Sequence, residues 1–488
     1  MQGCNAFFCI TPDKANTLCV FAINRGQIEN RLDVQNIFYC QIYQNRKTQK
    51  ISLGSLTIEE PCYGTSATAI ERTCEEQPKY IRITDFDDYG IEDNHEYMTA
   101  ETYVEKHLLQ NNDILFARTG GTVGKTYFYD GSIGRAIFAG YCIRFRFDGK
   151  KVLPKYIYWC TKTKQYTDWI KGIQRPSGQP NINREEYKSF EIPLPNIEMQ
   201  HRVVEFMDAA FAKRQAKLKQ ADTIRESILT YFAETLNIRI SRNKPELVTV
   251  LRMEQINATA TRRLDTKCYD KKFQIMRDEL SHSVFPSYQL RDLIIDNTGG
   301  DWGYDEGNES DTRIKCLVLR ATEISNKNNI NIRVDKAQCR QIEKRKLAAM
   351  NLEIGDVIIE KSGGSIDQPV GRVIFVDQLE YKGYPLAYSN FLTKIKINHN
   401  LVDPYYLFEY LRFIYGIGLT EVMQNQTNGI RNLIIEEFLE QTVIVPENNY
   451  EIGQRIYQLR SKARQMELDA EQEWQAAKSQ FEKELLGV

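Results

Sequence analysis

The chain has 488 residues, with 64 Lys and Arg against 65 Asp and Glu, a formal net charge of −1, and 42% hydrophobic residues. That length sets a prior of roughly three domains of about 150 residues, and the ordinary apolar and charged fractions exclude a disordered chain. Near-neutral charge excludes binding driven by whole-chain attraction to a polyanion, and no apolar run reaches the roughly 18 residues that a membrane span needs.

Charge is uneven along the chain. Between Arg144 and Lys188 there are 11 Lys and Arg against 4 Asp and Glu, and between Glu75 and Glu105 there are 10 Asp and Glu against 2 Lys and Arg. A local basic stripe fits contact with nucleic acid, although such runs also form solvated faces. The 11 cysteines form no C-x-x-C pair, which points to unpaired thiols in a reducing cytoplasm and away from zinc. The opening residues lack the basic and apolar regions of a secretion signal.

In chain order, the first apolar run, residues 18–23, reads as a strand. Arg31-Leu-Asp33 follows, and the same triplet recurs at Arg263-Leu-Asp265. Later segments keep step. Lys79-Tyr-Ile-Arg-Ile-Thr-Asp-Phe86 matches Cys316-Leu-Val-Leu-Arg-Ala-Thr-Glu-Ile324, with Arg82 opposite Arg320 and Thr84 opposite Thr322. Asp113-Ile-Leu-Phe-Ala-Arg-Thr-Gly-Gly121 matches Asp356-Val-Ile-Ile-Glu-Lys-Ser-Gly-Gly364. Ala139-Gly140 matches Ser389-Asn390, and Pro154-Lys-Tyr-Ile-Tyr158 matches Pro404-Tyr-Tyr-Leu-Phe408. Glu185-Glu-Tyr187 and Glu436-Glu-Phe438 each lead into a short apolar strand, a proline and a long helix. The chain is one unit written twice.

Each copy opens with β-like runs, in the first at residues 80–83, 114–117, 127–129, 136–139 and 143–147, followed by a helix over 154–170 that starts at proline. A long helix closes each copy. The central one, residues 198–236, carries an apolar stripe that includes Val203, Met207, Phe211 and Ile228; the last carries Ile452, Ile456, Leu459, Ala463, Met466, Ala470 and Trp474 at steps of mostly three and four. A helix of about 39 residues is roughly 58 Å long. Two such stripes of matched length are expected to pack on each other, antiparallel, with the globular parts at opposite ends. That separation exceeds one turn of DNA, about 34–36 Å. The expected fold class is α+β, as two tandem α/β domains joined by two long antiparallel coiled-coil helices in a pseudo-two-fold repeat. The expected boundaries are a lead segment at 1–39, a first globular domain at 40–195, the central helix at 196–240, a linker at 241–285, a second globular domain at 286–446 and the last helix at 447–488.

Catalytic signatures are missing. Thr119-Gly-Gly-Thr-Val-Gly-Lys-Thr126 resembles a phosphate-binding loop but has Thr119 where the first glycine must stand. The five histidines are isolated, and no nucleophile–base set, metal cluster or methyltransferase motif is present. Glu185 and Glu186 are read as negative charge at a helix N-terminus rather than as an acid–base pair. Two loops rich in Arg, Gln, Asn, Ser and Thr precede the Glu-Glu-aromatic text, at residues 172–183 and 423–431. These side chains read base edges and also touch phosphates, yet they are good turn formers too. The candidate DNA-binding residues are Arg118, Thr119, Lys125, Arg135, Arg175, Ser177, Gln179 and Asn181 in the first copy. In the second they are Lys361, Ser362, Arg372, Asn425, Gln426, Thr427, Asn428 and Arg431.

Asp113-Ile-Leu-Phe-Ala-Arg-Thr-Gly-Gly-Thr-Val-Gly-Lys125, Gln179-Pro-Asn-Ile-Asn183, Phe190-Glu-Ile-Pro-Leu-Pro195, and Glu198 with Gln200 together resemble the specificity (S) subunits of Type I restriction–modification systems and the separate S chains of related Type II systems. The second copy departs from the pattern, with Lys361 in place of Arg118 and no Gly-Lys. The resemblance implies a non-catalytic reader of double-stranded DNA. Its two target recognition domains would each read one half of a bipartite site. Its helices would set the spacing and dock two methyltransferase (M) subunits, here through Val203, Met207, Phe211, Ile456, Leu459 and Met466. It also implies S-adenosylmethionine on those partners rather than on this chain, no metal, and a motor–nuclease (R) subunit where cleavage occurs. The competing reading is a stand-alone methyltransferase or nuclease with an unrecognised site; a weaker one is a scaffold that binds only protein.

Overall fold

The computed structural model describes residues 5–10, 19–24, 50–91, 95–174, 180–239, 254, 269–324, 337–364, 368–427 and 430–486. The chain forms two compact units, Met1–Gln215 with Ala470–Val488, and Ala216–Asp469.

Unit 1 is built on a four-stranded antiparallel sheet in the order Cys62–Tyr63, Cys142–Phe145, Asp113–Ala117, Thr126–Tyr129. Asp113–Ala117 is buried along its whole length, and its alternating side chains feed two cores. Ile114 and Phe116 join Ile143, Phe145 and Tyr156 on one face, while Leu115 and Ala117 join Tyr127 and Cys142 on the other. Lys79–Ile81 and Ala136–Phe138 form a short parallel pair, and Lys50–Ser52 pairs antiparallel with Glu191–Pro193.

The helices of this unit are α1 (Pro154–Cys160), α2 (Lys164–Ile173), α3 (Arg184–Lys188) and the first part of α4 (Ile197–Thr235). The single helix expected over 154–170 is therefore two. The hydroxyls of Thr161 and Thr163 donate to the carbonyls of Tyr158 and Cys160, ending α1, and Thr163 caps α2 by accepting from the Tyr166 N–H. Within this unit α4 meets the segment from Ala470 antiparallel: Phe211 lies against Trp474 at 5.6 Å, Lys213 pairs with Glu473 and Arg214 with Glu471. Trp474 also sits edge-on to Tyr89 and beside Trp159. Such aromatic pairs contribute about 0.5–1.5 kcal/mol each beyond burial.

Unit 2 repeats the plan with Ile294–Gly299, Leu392–Ile397, Val357–Glu360 and Val373–Phe375 in the same order. Arg313–Leu319 runs parallel to Tyr384–Tyr388, and Ser287–Gln289 pairs with Thr442–Ile444. Its helices are α5 (Lys271–Ser281), α6 (Lys344–Met350), α7 (Pro404–Gly416), α8 (Ile435–Leu439) and the first part of α9 (Asn449–Leu486). Helix α7 runs unbroken because Leu411 and Phe413 stand where α1 meets Thr161 and Thr163. Within this unit the end of α4 contributes Ile228 and Phe232 to the core that holds Ile452 and Ile456 of α9.

The duplication extends to single hydrogen bonds. Arg82 donates to Asp85 from its backbone N–H and guanidinium, and Arg320 does the same to Glu323. Asp113 accepts from the Gln110 N–H, and Asp356 from the Glu353 N–H, each at 2.8 Å. Tyr156 donates to the Pro193 carbonyl and Tyr406 to the Ile444 carbonyl. The preceding turn needs a left-handed residue in both copies, Asn112 in one and Gly355 in the other.

Candidate nucleic-acid interface

In unit 1 the glycine-rich loop leaves the strand Asp113–Ala117 and is fixed from beneath by two tyrosines. Tyr187 donates to the Ala117 carbonyl at 2.6 Å and accepts from the Gly124 N–H, and Tyr166 donates to the Gly124 carbonyl. Both phenols are buried, which pushes their pKa values up and keeps them as donors. Three of the loop's N–H groups are used internally: Val123 donates to the Gly120 carbonyl, Gly124 to Ala117 and Lys125 to Thr122. A phosphate cradle needs such groups free, so these three do not serve one. The aromatic of the Glu-Glu-Tyr text thus holds the loop, while Glu186 completes a capping box with Asn183.

The same loop is tied to the polar segment. Thr119 forms an antiparallel bridge with Asn181, the Gly120 N–H donates to the Pro180 carbonyl, and the Ile182 N–H to the Arg118 carbonyl. In unit 2 the tie is a small sheet, Ser362–Gly364 against Ile430–Leu433 against Gln424–Thr427. The Leu433 N–H donates to the Lys361 carbonyl, as Ile182 does to Arg118. The N–H groups of Arg118 and Lys361 donate to the carbonyls of Tyr141 and Phe391. Both copies therefore join three segments at the same strand end: the cation-bearing loop, the polar segment and the turn before the strand Cys142–Phe145 or its equivalent Leu392–Ile397.

Side chains at this junction are partly open to the outside. The Arg118 guanidinium rests on the Tyr63 ring at 4.7 Å, and its buried Nε has no hydrogen-bond partner among the described residues; the Thr122 hydroxyl is in the same state. Asn181, Asn425, Gln426 and Ile430 are exposed. Ser362 donates to Asn432 at 2.7 Å. In the register Gln426 faces Arg431 and Asn425 faces Asn432. Thr427 is placed at the strand end by its backbone. Arg175, Ser177, Gln179 and Asn428 lie outside the described residues.

Several expected residues are engaged elsewhere. Arg372 is a correction: its guanidinium pairs with buried Glu360 at 2.7 Å and donates to the carbonyls of Ala321 and Ile324, so its donors serve the fold. Lys125 pairs with Asp88 at 3.2 Å and lines a cavity of about 280 Å³ with Lys162 and Lys478. Burial pushes the Lys162 ammonium down to about 7. Arg135 stands over Tyr103 at 5.8 Å, at the opposite end of the strand Ala136–Phe138 from the Tyr141 turn. The basic stripe is largely neutralised: Arg146 pairs with Asp113 and Glu59, Arg144 with Glu59, Lys155 with Asp208, and Arg184 and Lys188 with Glu60.

The proposed docking set is corrected too. Val203, Met207 and Ile456 are buried in the core of their own units, and Phe211 and Leu459 pack on those cores. Met466 is half-buried. Exposed apolar side chains on α9 lie elsewhere, at Tyr450, Tyr457 and Leu468.

Sequence reading missed Asn432 and the aromatic turn. It also took residues 423–431 as a loop, where Asn428-Gly429 is the dipeptide most favoured between two hairpin strands. No group of three or more His, Cys, Asp or Glu among the described residues could hold a metal ion, and no described helix is long and apolar enough to cross a membrane.

The same α+β plan therefore occurs twice, each time joining three segments at one strand end. Residues 68–223 match the model of the Type I restriction modification DNA specificity domain. That segment therefore carries a Type I restriction modification DNA specificity domain. Solved structures are also similar. One, described as the structural basis of complex assembly and conformational transition of the type I R-M system, has a TM-score of 0.47 at 13% identity, covering 91% of this chain and 99% of that one. The S subunit of a Type-I restriction-modification system from M. genitalium has a TM-score of 0.44 at 12% identity, covering 91% and 97%. The HsdS subunit from Thermoanaerobacter tengcongensis has a TM-score of 0.33 at 12% identity, covering 90% and 96%. No curated protein matches.

Proposed function

We propose that each unit reads one half of a bipartite double-stranded target, and that the chain performs no catalysis itself. The observation that carries this reading is the junction of three segments, built twice on the same hydrogen bonds and furnished with different side chains. One scaffold with two sets of polar groups fits two different base sequences. Arg118, Thr119 and Asn181 would serve the first half-site, joined by Arg175, Ser177 and Gln179. Lys361, Ser362, Asn425, Gln426, Thr427, Asn428 and Arg431 would serve the second. The recognition domains are taken as 40–195 and 286–446, between long helices that set the spacing.

The partners are two methyltransferase subunits, which hold S-adenosylmethionine, and a motor–nuclease subunit where cleavage occurs. Tyr450, Tyr457 and Leu468 support a docking role for α9: intervals of 7 and 11 residues place all three on one helix face, and all three are exposed. The test is labelled S-adenosylmethionine with DNA and the purified chain, alone and with its methyltransferase partner. Methyl transfer only with the partner is the expected result; transfer by the chain alone would sink the reading.

A further inference from the structure

Resting on that reading, we infer that Tyr141 and Phe391 are paired DNA-contact residues, one per unit, each laying its ring against a base of its half-site. Both are large aromatic side chains left in the open: Tyr141 is 62% exposed and Phe391 45%. They occupy the same place in the two copies. Each is the third residue of a turn, closed by the Cys142 N–H on the Ala139 carbonyl in one and the Leu392 N–H on the Ser389 carbonyl in the other. The carbonyl of each aromatic residue accepts from the cation-bearing residue of the glycine-rich loop, Arg118 or Lys361.

In both copies the turn packs closely against the glycine that follows the first strand of the sheet, Gly64 or Gly300. A Cβ on Gly64 would stand 2.1 Å from the Phe138 carbonyl oxygen and 2.5 Å from that of Ala139. A Cβ on Gly300 would stand 2.3 Å from the carbonyl oxygens of Tyr388 and Ser389. Only glycine admits so close an approach. The turn is anchored further by the Ala139 N–H on the Ile81 carbonyl and the Ser389 N–H on the Leu319 carbonyl. The same scaffold presents an exposed ring in both copies.

The chemistry of the surroundings selects the partner. Each aromatic residue is bonded through its backbone to a cation-bearing residue, which is tied in turn to the polar segment beside Asn181 in one copy and Asn432 in the other; these are residue types that meet phosphates and base edges. An aromatic ring there supplies what those groups lack, an apolar contact with a thymine methyl at the base edges of the groove. Tyr in one copy and Phe in the other share the ring and differ only in the hydroxyl, so the ring is the contact.

The experiment uses the full chain with its methyltransferase partner. The probes are a duplex carrying the site mapped by methylation sequencing, and the same duplex with either half-site scrambled. Tyr141→Ala and Phe391→Ala are each expected to weaken binding to the mapped duplex by roughly 5- to 150-fold, the range for losing recognition of one base pair in a duplex site. Each should lose discrimination at one half-site only, with unchanged unfolding midpoint, and Tyr141→Phe should bind as the parent does. Affinity within twofold of the parent for both alanine variants would overturn the inference, as would loss at both half-sites from one substitution. A parent complex that does not prefer the mapped duplex would instead refute the specificity reading beneath it.

Discussion

Arg460→Met is expected to destabilise unit 2 by about 3–5 kcal/mol, the usual cost of stripping one partner from a buried ion pair. The Arg460 side chain on α9 is 6% exposed and that of Glu409 on α7 is 1% exposed. Arg460 holds both carboxylate oxygens, at 2.5 and 2.7 Å, and Tyr405 donates a third hydrogen bond at 3.0 Å. Burial alone would raise the Glu409 carboxyl, but the Arg460 and Arg412 guanidiniums and these hydrogen bonds outweigh it and hold the group below its usual range. Without Arg460 the carboxylate keeps the Tyr405 bond and a weaker attraction to Arg412, so it is left largely uncompensated. The double variant Glu409→Leu with Arg460→Met removes the stranded charge and should recover most of the loss. Recovery will be partial, because Arg412, held down to about 10 by burial, then loses its acid. The chain has two units and need not unfold in one step. Hydrogen exchange of the α7 amides during a denaturant series is therefore the proper readout. The sign with pH is set by the depressed carboxyl: the pair's stabilisation is present above the ordinary value of 4.5 and is lost as pH falls through the lower folded value. The gap between parent and Arg460→Met should close in acid. A cost below about 1 kcal/mol, or a double variant as unstable as the single one, would refute this reasoning.

Arg118→Ala should weaken DNA binding through the first half-site alone, read by competition of half-site duplexes with the methyltransferase complex; unchanged affinity would remove Arg118 from the interface. Replacing residues 40–195 with the domain of another family member should change one half of the methylated sequence, and methylome sequencing that showed both halves altered would count against separate readers. Gly64→Ala should displace the Tyr141 turn, because its Cβ would meet the Phe138 carbonyl oxygen at 2.1 Å, and the loss of half-site discrimination should resemble that of Tyr141→Ala. Lys162, pushed down to about 7 by burial, binds its proton less tightly folded than unfolded. Its contribution to stability therefore rises with pH from about 7 to the ordinary 10.5, by up to about 1.4 kcal/mol per pH unit. Denaturant titrations of parent and Lys162→Met should diverge across that window, and parallel curves would mean that the ammonium is not buried.

The duplicated architecture was legible in the sequence because it is carried by local text. Asp113-Ile-Leu-Phe-Ala and Asp356-Val-Ile-Ile-Glu are buried strands at both positions, and the stripes at Val203, Met207, Ile228, Ile456 and Trp474 face inward on two long helices. Periodicity fixes which face of an element is apolar, and the order of matched segments fixes that the unit occurs twice. Periodicity does not say what covers the face. Only packing shows that Val203, Met207 and Ile456 are buried in the cores of their own units. Charge behaves alike. Arg372 and the basic stripe looked available in the sequence, and the tertiary structure spends them on Glu360, Asp113, Glu59 and Glu60, acids brought close by strand pairing rather than by chain order. The candidate site divides along the same line. Its loops could be named from their Gly, Asn, Gln and Arg content. That Arg118 accepts from Ile182 and donates to Tyr141, and Lys361 accepts from Leu433 and donates to Phe391, is a matter of non-local hydrogen bonds. The helices and strands were written in the local sequence, but the junction exists only where three distant segments meet at the end of one strand, and that meeting is decided by the sheet.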